Sequence, residues 1–258
     1  MDYTTIRLEI SGPVARLFLT RPDLRNAINA SMIRELRECL GHLVANPPRV
    51  LVLSGDGSVF CAGADANWMA ETGRLGWDEN YVDALAMADL LAELNSLPCP
   101  VLARVQGGAY GGGIGLICCC DAVVCADNAQ FSLSEVRLGL TPSTISPYVL
   151  AKIGASHARD LFLSAARFGA QRAQASGMVH EVVAETELDS AVEQRIQQYL
   201  ACAPGAMAAA KAQIASLGQS PAQWREETAR LIAELRSSSE GREGLAAFLE
   251  KRKPEWAL

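Results

Sequence analysis

The sequence is poor in the residues and runs that mark several classes of protein. It has only three histidines and no Cys-x-x-Cys pair, which argues against a zinc site. The net charge is −6 without a long run of lysine and arginine, so we expect no nucleic-acid partner. The N-terminal segment lacks a basic region followed by an apolar core, and no apolar stretch is long enough to span a membrane. We therefore expect neither a signal peptide nor a membrane partner.

What the chain does have is material for a large core. Half of its 258 residues are hydrophobic. Eight cysteines are present, three of them consecutive at positions 118–120 and others scattered singly among apolar residues. We interpret them as buried, reduced side chains that behave as small apolar groups. This interpretation fits a cytoplasmic protein.

Strand-like and helix-like segments alternate through the first part of the chain. PVARLFLTRP and RVLVLSGDG predict strands, and they flank NASMIRELRECLGHLV, whose apolar residues repeat at helical spacing. Asn29 or Ser31 is the candidate N-cap of that helix. A strand, a helix and a second strand imply a crossover and parallel pairing, so we predict an α/β fold. From about Pro147 onward strands nearly vanish, and one predicted helix is broken near Gly154.

Two small-residue turns follow predicted strands and lead into helices. They are FCAGADANWM and GGAYGGGIG. Such turns leave backbone N–H groups without acceptors, and two of them facing each other would form an oxyanion hole for a carbonyl oxygen. Either turn alone is more often structural. Dinucleotide binding also uses such turns, but no acidic ribose ligand is placed as that reading requires.

Glu135, in AQFSLSEVRLGLTPS, is a candidate proton-transfer group. It is flanked by Leu133, Val136 and Leu138, and a carboxylate in apolar surroundings has a raised pKa that suits proton transfer near neutral pH. The alternative is a solvated glutamate, or one paired with Arg137.

Four segments together resemble a known family. FCAGAD, VQGGAYGGGIGLICCCD, AQFSLSEVRLGLTP and GLAAFLEKRKPEW occur in the order seen in the crotonase superfamily of enoyl-CoA hydratases and isomerases. The resemblance covers essentially the whole chain. It is nearest to bacterial hydratases acting on methylglutaconyl-CoA-like substrates, through SEVRLGLTPSTISPYV.

The resemblance implies a crotonase-like spiral of ββα units over residues 1–195, which holds the acyl-CoA site, and a helical trimerisation region over 196–258. It implies a homotrimer or a dimer of trimers, and apolar positions in the tail (Leu231, Leu235, Leu245 and Phe248) agree with that assembly. The expected partner is an acyl-CoA thioester. Coenzyme A is then part of the substrate, and no further cofactor is expected.

Site residues follow from the same resemblance. The backbone N–H groups of Ala64 and Gly112 would form the oxyanion hole, and Glu135 would be the catalytic carboxylate. Further expected substrate-binding residues are Asp65, Ala66 and Asn67 along the CoA chain, Arg25 near the nucleotide, Gly115 beside the acyl group, and Phe248 and Lys251 near the adenine and phosphates. Ordinary helix surface is an equal reading for the last two. Asp121 is expected to be structural.

The chain departs from the family pattern at position 115. Two-glutamate hydratases carry a glutamate three residues after the oxyanion glycine, whereas this chain has Gly115 there. We expect the glycine to open space for a branched acyl group. The favoured function is a lyase that hydrates a branched, methylglutaconyl-type 2-enoyl-CoA, in leucine or isoprenoid breakdown. The alternatives are double-bond isomerisation or decarboxylation with Glu135 alone, or a non-catalytic acyl-CoA-binding relative.

Overall fold

Two sheets organise the computed structural model, which describes residues 3–216, 232, 234 and 238–257. The strands are β1 (Ile6–Ser11), β2 (Val14–Leu19), β3 (Val50–Gly55), β4 (Val101–Val105), β5 (Gly108–Tyr110), β6 (Ala122–Ala126), β7 (Gln130–Ser132), β8 (Phe168–Gly169) and β9 (Glu181–Val183). The larger sheet has the order β1-β2-β3-β4-β6-β9, and the smaller has the order β5-β7-β8. From β2 to β9 the larger sheet is parallel, and β1 pairs with β2 in antiparallel register.

Helices connect and cover these strands. They are α1 (Ala30–Ala45), α2 (Ala66–Thr72), α3 (Trp77–Asn95), α4 (Gly112–Cys119), α5 (Ser146–Ser164), α6 (Ala170–Ala175), α7 (Leu188–Leu200), α8 (Pro204–Ser216) and α9 (Ser239–Glu250). Short 3-10 helices lie at Pro22–Leu24, Glu135–Leu138 and Glu185–Glu187. The predicted α/β class is confirmed.

The central strand β3 is buried on both faces because helices cover both sides of the larger sheet. Leu51 and Leu53 point into the main core, which they share with buried residues of α1 and α3. Val50 and Val52 point the other way, into a second cluster that includes residues of α7. This period of two is what a parallel strand between two helical layers requires.

Two local predictions agree with the structure. Asn29 is the N-cap of α1, and its side chain accepts a hydrogen bond from the N–H of Met32 at 3.0 Å. Gly154 interrupts α5 with φ 68°, a left-handed conformation that glycine adopts at little cost. The eight cysteines are all free, and seven are buried, while Cys202 is exposed.

The predicted division at residue 195 falls inside α7, which is one continuous helix. Its residues Leu188, Val192 and Ile196 pack in the second cluster against the sheet. Among the residues proposed to build a trimer, Leu231 and Leu235 and the side chain of Phe248 lie outside the described part, and Leu245 is exposed. The assembly stays a prediction. Within the described ranges, no helix combines the length and the hydrophobicity that crossing a membrane requires.

Candidate active site

The two small-residue loops lie side by side. The N–H of Tyr110 donates to the carbonyl oxygen of Cys61 at 3.0 Å, and the Cys61 N–H donates to the oxygen of Gly108 at 3.3 Å. Gly63 has φ +90°, and a Cβ there would lie 3.0 Å from the carbonyl oxygen of Tyr110. Glycine at position 63 therefore allows both the turn and the close approach of the two backbones.

Each loop contributes one residue, Ala64 or Gly112, to the lining of the same cavity. Ala64 follows Gly63, whose oxygen accepts from Ile28, and Gly112 is the first residue of α4. Within the described residues, neither the Ala64 N–H nor the Gly112 N–H has an acceptor. Two N–H donors that converge on one cavity can stabilise negative charge on a single oxygen.

The cavity has a volume of about 250 Å³ and is mostly apolar. It is lined by Ile28, Ala64, Trp68, Asp83, Ala84, Met87, Gly112, Glu135, Thr141, Pro142, Ser143, Thr144 and Ile145. This lining contains two carboxylates and no lysine, arginine or histidine. No group of three or more metal-ligating side chains occurs in the described part of the chain.

Glu135 begins the 3-10 helix that follows β7, and its carboxylate is partly withdrawn from water. Its Oε2 atom is buried and has no hydrogen-bond partner among the described residues, and burial raises the pKa of the carboxyl group. No ion pair joins it to Arg137 within the described residues. The sequence neighbours Val136 and Leu138 are 36% and 61% exposed, so they are not what buries the carboxylate. Its apolar surroundings come from the cavity wall instead.

Gly111 brings the Glu135 carboxylate against the start of α4. Gly111 has φ 46° and ψ −116°, and a Cβ on it would lie 3.0 Å from Glu135 Oε1. A side chain here would both strain the backbone and press on the carboxylate. The glycine run was noticed in the sequence, but its spacing does not reveal which glycine faces the glutamate.

The space expected beside Gly115 is filled. Gly115 is buried, and a Cβ built on it would lie 2.3 Å from Ile145 Cγ2 and 3.5 Å from Leu91 Cδ2. Gly115 itself is not part of the cavity lining, whereas Ile145 is. The Ile145 side chain occupies the volume that a side chain at position 115 would take, so Gly115 does not itself open space for a branched acyl group.

In the predicted CoA-binding loop, the side chain of Asp65 is engaged in contacts that hold the loop together. The Asp65 side chain is buried, receives the N–H groups of Asn67 and Trp68 at the start of α2, and pairs with Arg21 at 2.8 Å. These bonds lower the pKa of Asp65 despite its desolvation, and they leave its carboxylate occupied. Ala66 and Asn67 are exposed beyond it. Asn67 borders a separate polar cavity of about 320 Å³, together with Arg21 and Asp65.

The remaining predicted residues lie apart from the cavity. Arg25 is exposed in a left-handed conformation with φ 50°, and its guanidinium has no partner within the described residues. Lys251 is exposed just after α9. Asp121 accepts from the Val101 N–H at 2.7 Å and pairs with Lys211 at 2.8 Å. These contacts join β4 to α8, which is the structural role expected of Asp121.

Sequence reasoning missed most of the cavity wall. The missed residues include Trp68, Asp83, Thr144 and Ile145. Asp83 had a usable signal, because it lies four residues before the buried Met87 and therefore on the apolar face of α3. Ile145 had none, because its contact with position 115 joins two segments that are distant in the sequence.

Comparisons with known proteins find similarity over nearly the whole chain. A family sequence profile described as Enoyl-CoA hydratase/isomerase matches residues 9–257. A Rhodobacter capsulatus protein named "Probable enoyl-CoA hydratase" is 36% identical over 99% of both chains. The "Enoyl-CoA isomerase/hydratase fer4" of Mycosarcoma maydis is 32% identical over 95% of this chain and 93% of its own. The crystal structure of an enoyl-CoA hydratase from Shewanella pealeana superposes with a TM-score of 0.95, at 39% identity, covering 99% of this chain and 97% of that one.

Proposed function

The chain belongs to the enoyl-CoA hydratase/isomerase family, and from that premise we propose that it is a lyase that adds water to a 2-enoyl-CoA. One observation carries the proposal. Glu135, Ala64 and Gly112 line the same cavity. Within the part of the chain that the structure describes, a buried oxygen of Glu135 has no hydrogen-bond partner, and the backbone N–H groups of Ala64 and Gly112 have no acceptors. That set can bind a thioester oxygen and move a proton beside it.

The two N–H groups would act on the thioester carbonyl oxygen. When hydroxide adds to the β-carbon, the electrons of the double bond pass to this oxygen and form an enolate. Donors fixed in the backbone stabilise that charge without reorganising, and losing one typically costs about 3 kcal/mol of barrier.

Glu135 would transfer the proton from water to the substrate. Its raised pKa suits a group that must both accept and release a proton near neutral pH. It would take a proton from water as the oxygen adds to the β-carbon, and deliver that proton to the α-carbon. One carboxylate can do both tasks in sequence, so the absence of an acid at position 115 is compatible with hydration.

The finer proposal concerns the acyl group. The sequence resemblance supports a branched, methylglutaconyl-type group, and the predicted place in leucine or isoprenoid breakdown depends on it. A methylglutaconyl group ends in a carboxylate, which would meet Asp83 and Glu135 in a cavity whose described lining offers no cation. An uncharged branched 2-enoyl-CoA avoids this repulsion. The two thioesters form a matched pair for testing substrate choice.

Double-bond isomerisation is the second candidate. It needs one group that moves a proton between two carbons and no activated water, and Glu135 satisfies that need alone. The observation that favours it is Gly115, which leaves Glu135 as the only acid at the positions where the family resemblance places catalytic carboxylates.

The deciding experiment follows the absorbance of the conjugated enoyl thioester across a panel of linear and branched substrates, with product analysis. Hydration predicts loss of absorbance and a 3-hydroxyacyl product. Isomerisation predicts a shifted double bond and no added oxygen. Tight binding of a saturated analogue without any turnover would show a non-catalytic relative.

A variant pair tests the oxyanion assignment in the same assay. Gly112→Val would place its Cβ 3.0 Å from Ile28 Cδ1 and crowd the oxygen site, so we expect turnover to fall by about 10³-fold. Gly41→Val on α1, where no atom lies within 4 Å of the added Cβ, is the matched control. A folded Gly112→Val protein with the turnover of the control would contradict the assignment.

A further inference from the structure

Asp83 is the cavity's second carboxylate, and the family resemblance assigns it no role. It lies within α3, and Asp83, Met87, Leu90 and Leu94 fall on one face of that helix. The other three are buried apolar residues. An aspartate inside a helix and on its apolar face is unfavourable for folding, because it forms helix poorly and loses hydration.

One oxygen of this carboxylate is held in place. The indole N–H of Trp68 donates to Asp83 Oδ1 at 3.2 Å, and both side chains line the cavity. The Oδ2 atom has no hydrogen-bond partner within the described residues. Burial raises the pKa of Asp83, and the bond from Trp68 opposes that rise by favouring the ionised form.

Glu135 supplies the complementary feature. Its Oε2 atom is buried in the wall of the same cavity of about 250 Å³, and no described residue is hydrogen-bonded to it. The cavity therefore holds two carboxylates, each with an oxygen that can still accept a hydrogen bond. Residues that weaken the fold and yet occupy a cavity wall are expected where function requires them.

We propose that Asp83 is a further catalytic residue, whose Oδ2 accepts one hydrogen of the water molecule that adds to the double bond. The inference rests on the proposed hydratase function. Trp68 is a positioning residue, because its indole N–H holds Oδ1 of Asp83 and leaves Oδ2 available to the water.

The step balances with these two groups. The water oxygen forms a bond to the β-carbon, and one of its protons passes to Glu135 and then to the α-carbon. The other hydrogen stays on the oxygen as the new hydroxyl group, hydrogen-bonded to Asp83. Both carboxylates end as they began, so no further acid or base is required. Asp83 thereby takes over the water-holding task for which position 115 has no side chain.

The test measures kcat for hydration of the best enoyl-CoA of the panel, the Kd of its saturated analogue and the unfolding midpoint in urea. Asp83→Asn and Asp83→Ala should lower kcat by about 10²-fold, with Kd changed less than about 3-fold and the midpoint retained. Trp68→Phe should lower kcat by a smaller factor. Asp78→Asn, an exposed site on the same helix, is the control and should behave as wild type.

Two outcomes would overturn the inference. One is an unchanged kcat in both Asp83 variants. The other is a fall in kcat matched by weaker binding or a lower midpoint, which is the pattern of a merely structural residue. Failure of the proposed function looks different, because the wild-type protein itself would then hydrate no thioester in the panel.

Discussion

Glu35 and Glu135 are both withdrawn from water, yet their surroundings are opposite. Glu35, on α1, is 7% exposed, and its carboxylate receives hydrogen bonds from the N–H and O–H groups of Thr4 and Thr5. Burial alone would raise the pKa of Glu35, but the bonds from Thr5 and Thr4 lower it to about 2. Burial raises the pKa of Glu135, a hydrogen bond from its own backbone N–H only partly opposes that rise, and its Oε2 has no partner within the described residues.

The difference shows how the number of donors separates a structural carboxylate from a reactive one. Both carboxylate oxygens of Glu35 accept hydrogen bonds that hold the N-terminal segment against α1, so neither is left to bind a substrate or water. Glu135 keeps a buried oxygen that no described residue hydrogen-bonds. Such a state costs free energy, and a fold tolerates it where a substrate or water supplies the missing partner.

The largest expected effect comes from adding a buried glutamate at a position that offers it neither hydrogen-bond donors nor space. Gly115→Glu would place its Cβ 2.3 Å from Ile145 Cγ2. We expect it to lower the free energy of unfolding by roughly 4 kcal/mol, through overpacking and an unpaired buried charge. Urea denaturation checks this, with Gly41→Glu on the exposed face of α1 as the control.

The double variant Gly115→Glu/Ile145→Ala separates the two causes. Removing the Ile145 side chain should recover about 1–2 kcal/mol relative to the sum of the two single losses, because the variants share one volume. Strictly additive losses would mean that Ile145 does not fill the space at position 115.

Glu135→Gln removes the reactive carboxylate and keeps its size. We expect kcat on the best substrate to fall by about 10²-fold or more, because the amide cannot accept the proton. The Kd of a saturated analogue should change little, since Ala64 and Gly112 are untouched. Steady-state kinetics and calorimetry measure the two quantities. Full activity in this variant would refute the role of Glu135 in proton transfer.

Much of the fold could be predicted because its signals are local. The period of two in β3 and the helical repeat in α1 each lie within one segment, and so does the turn at Gly154. Strand β1 was not predicted, and its exposed pattern at an edge of the sheet explains why. The short strands β5 and β8 were missed because two or three residues carry too little pattern.

Site residues could be predicted only where a single sequence segment contains the pattern that indicates their role. The turns that hold Ala64 and Gly112, and the glutamate between a strand and a turn, were visible in the sequence. Asp83 reaches the site through α3, and Ile145 meets position 115 from the start of α5, so their roles depend on tertiary packing. The role of Glu35 was equally hidden, because its threonine partners lie about thirty residues away.

Glu35→Gln tests the structural carboxylate. It should have a smaller effect, which is confined to the free energy of unfolding. A shift of the carboxyl pKa from 4.5 to about 2 corresponds to about 3 kcal/mol of stabilisation at neutral pH. We expect the free energy of unfolding to fall by at most that amount. The kcat per folded molecule should stay at the wild-type value, and a large loss of kcat would show that Glu35 also supports the site.

The smallest effects are the pH dependences, and they should have opposite signs for the two glutamates. The pKa of Glu35 is lower in the folded state, so its stabilisation is present above the unfolded pKa and is lost as pH falls toward about 2. The stability difference between wild type and Glu35→Gln should therefore shrink to about half near pH 3. The pKa of Glu135 is raised, so its favourable contribution holds at acid pH and is lost as pH rises. Glu135→Gln should match wild type in acid and be slightly more stable at pH 7. Urea denaturation between pH 3 and pH 7 measures both slopes, and slopes of the same sign would show that the two carboxylates do not differ as the hydrogen bonds indicate.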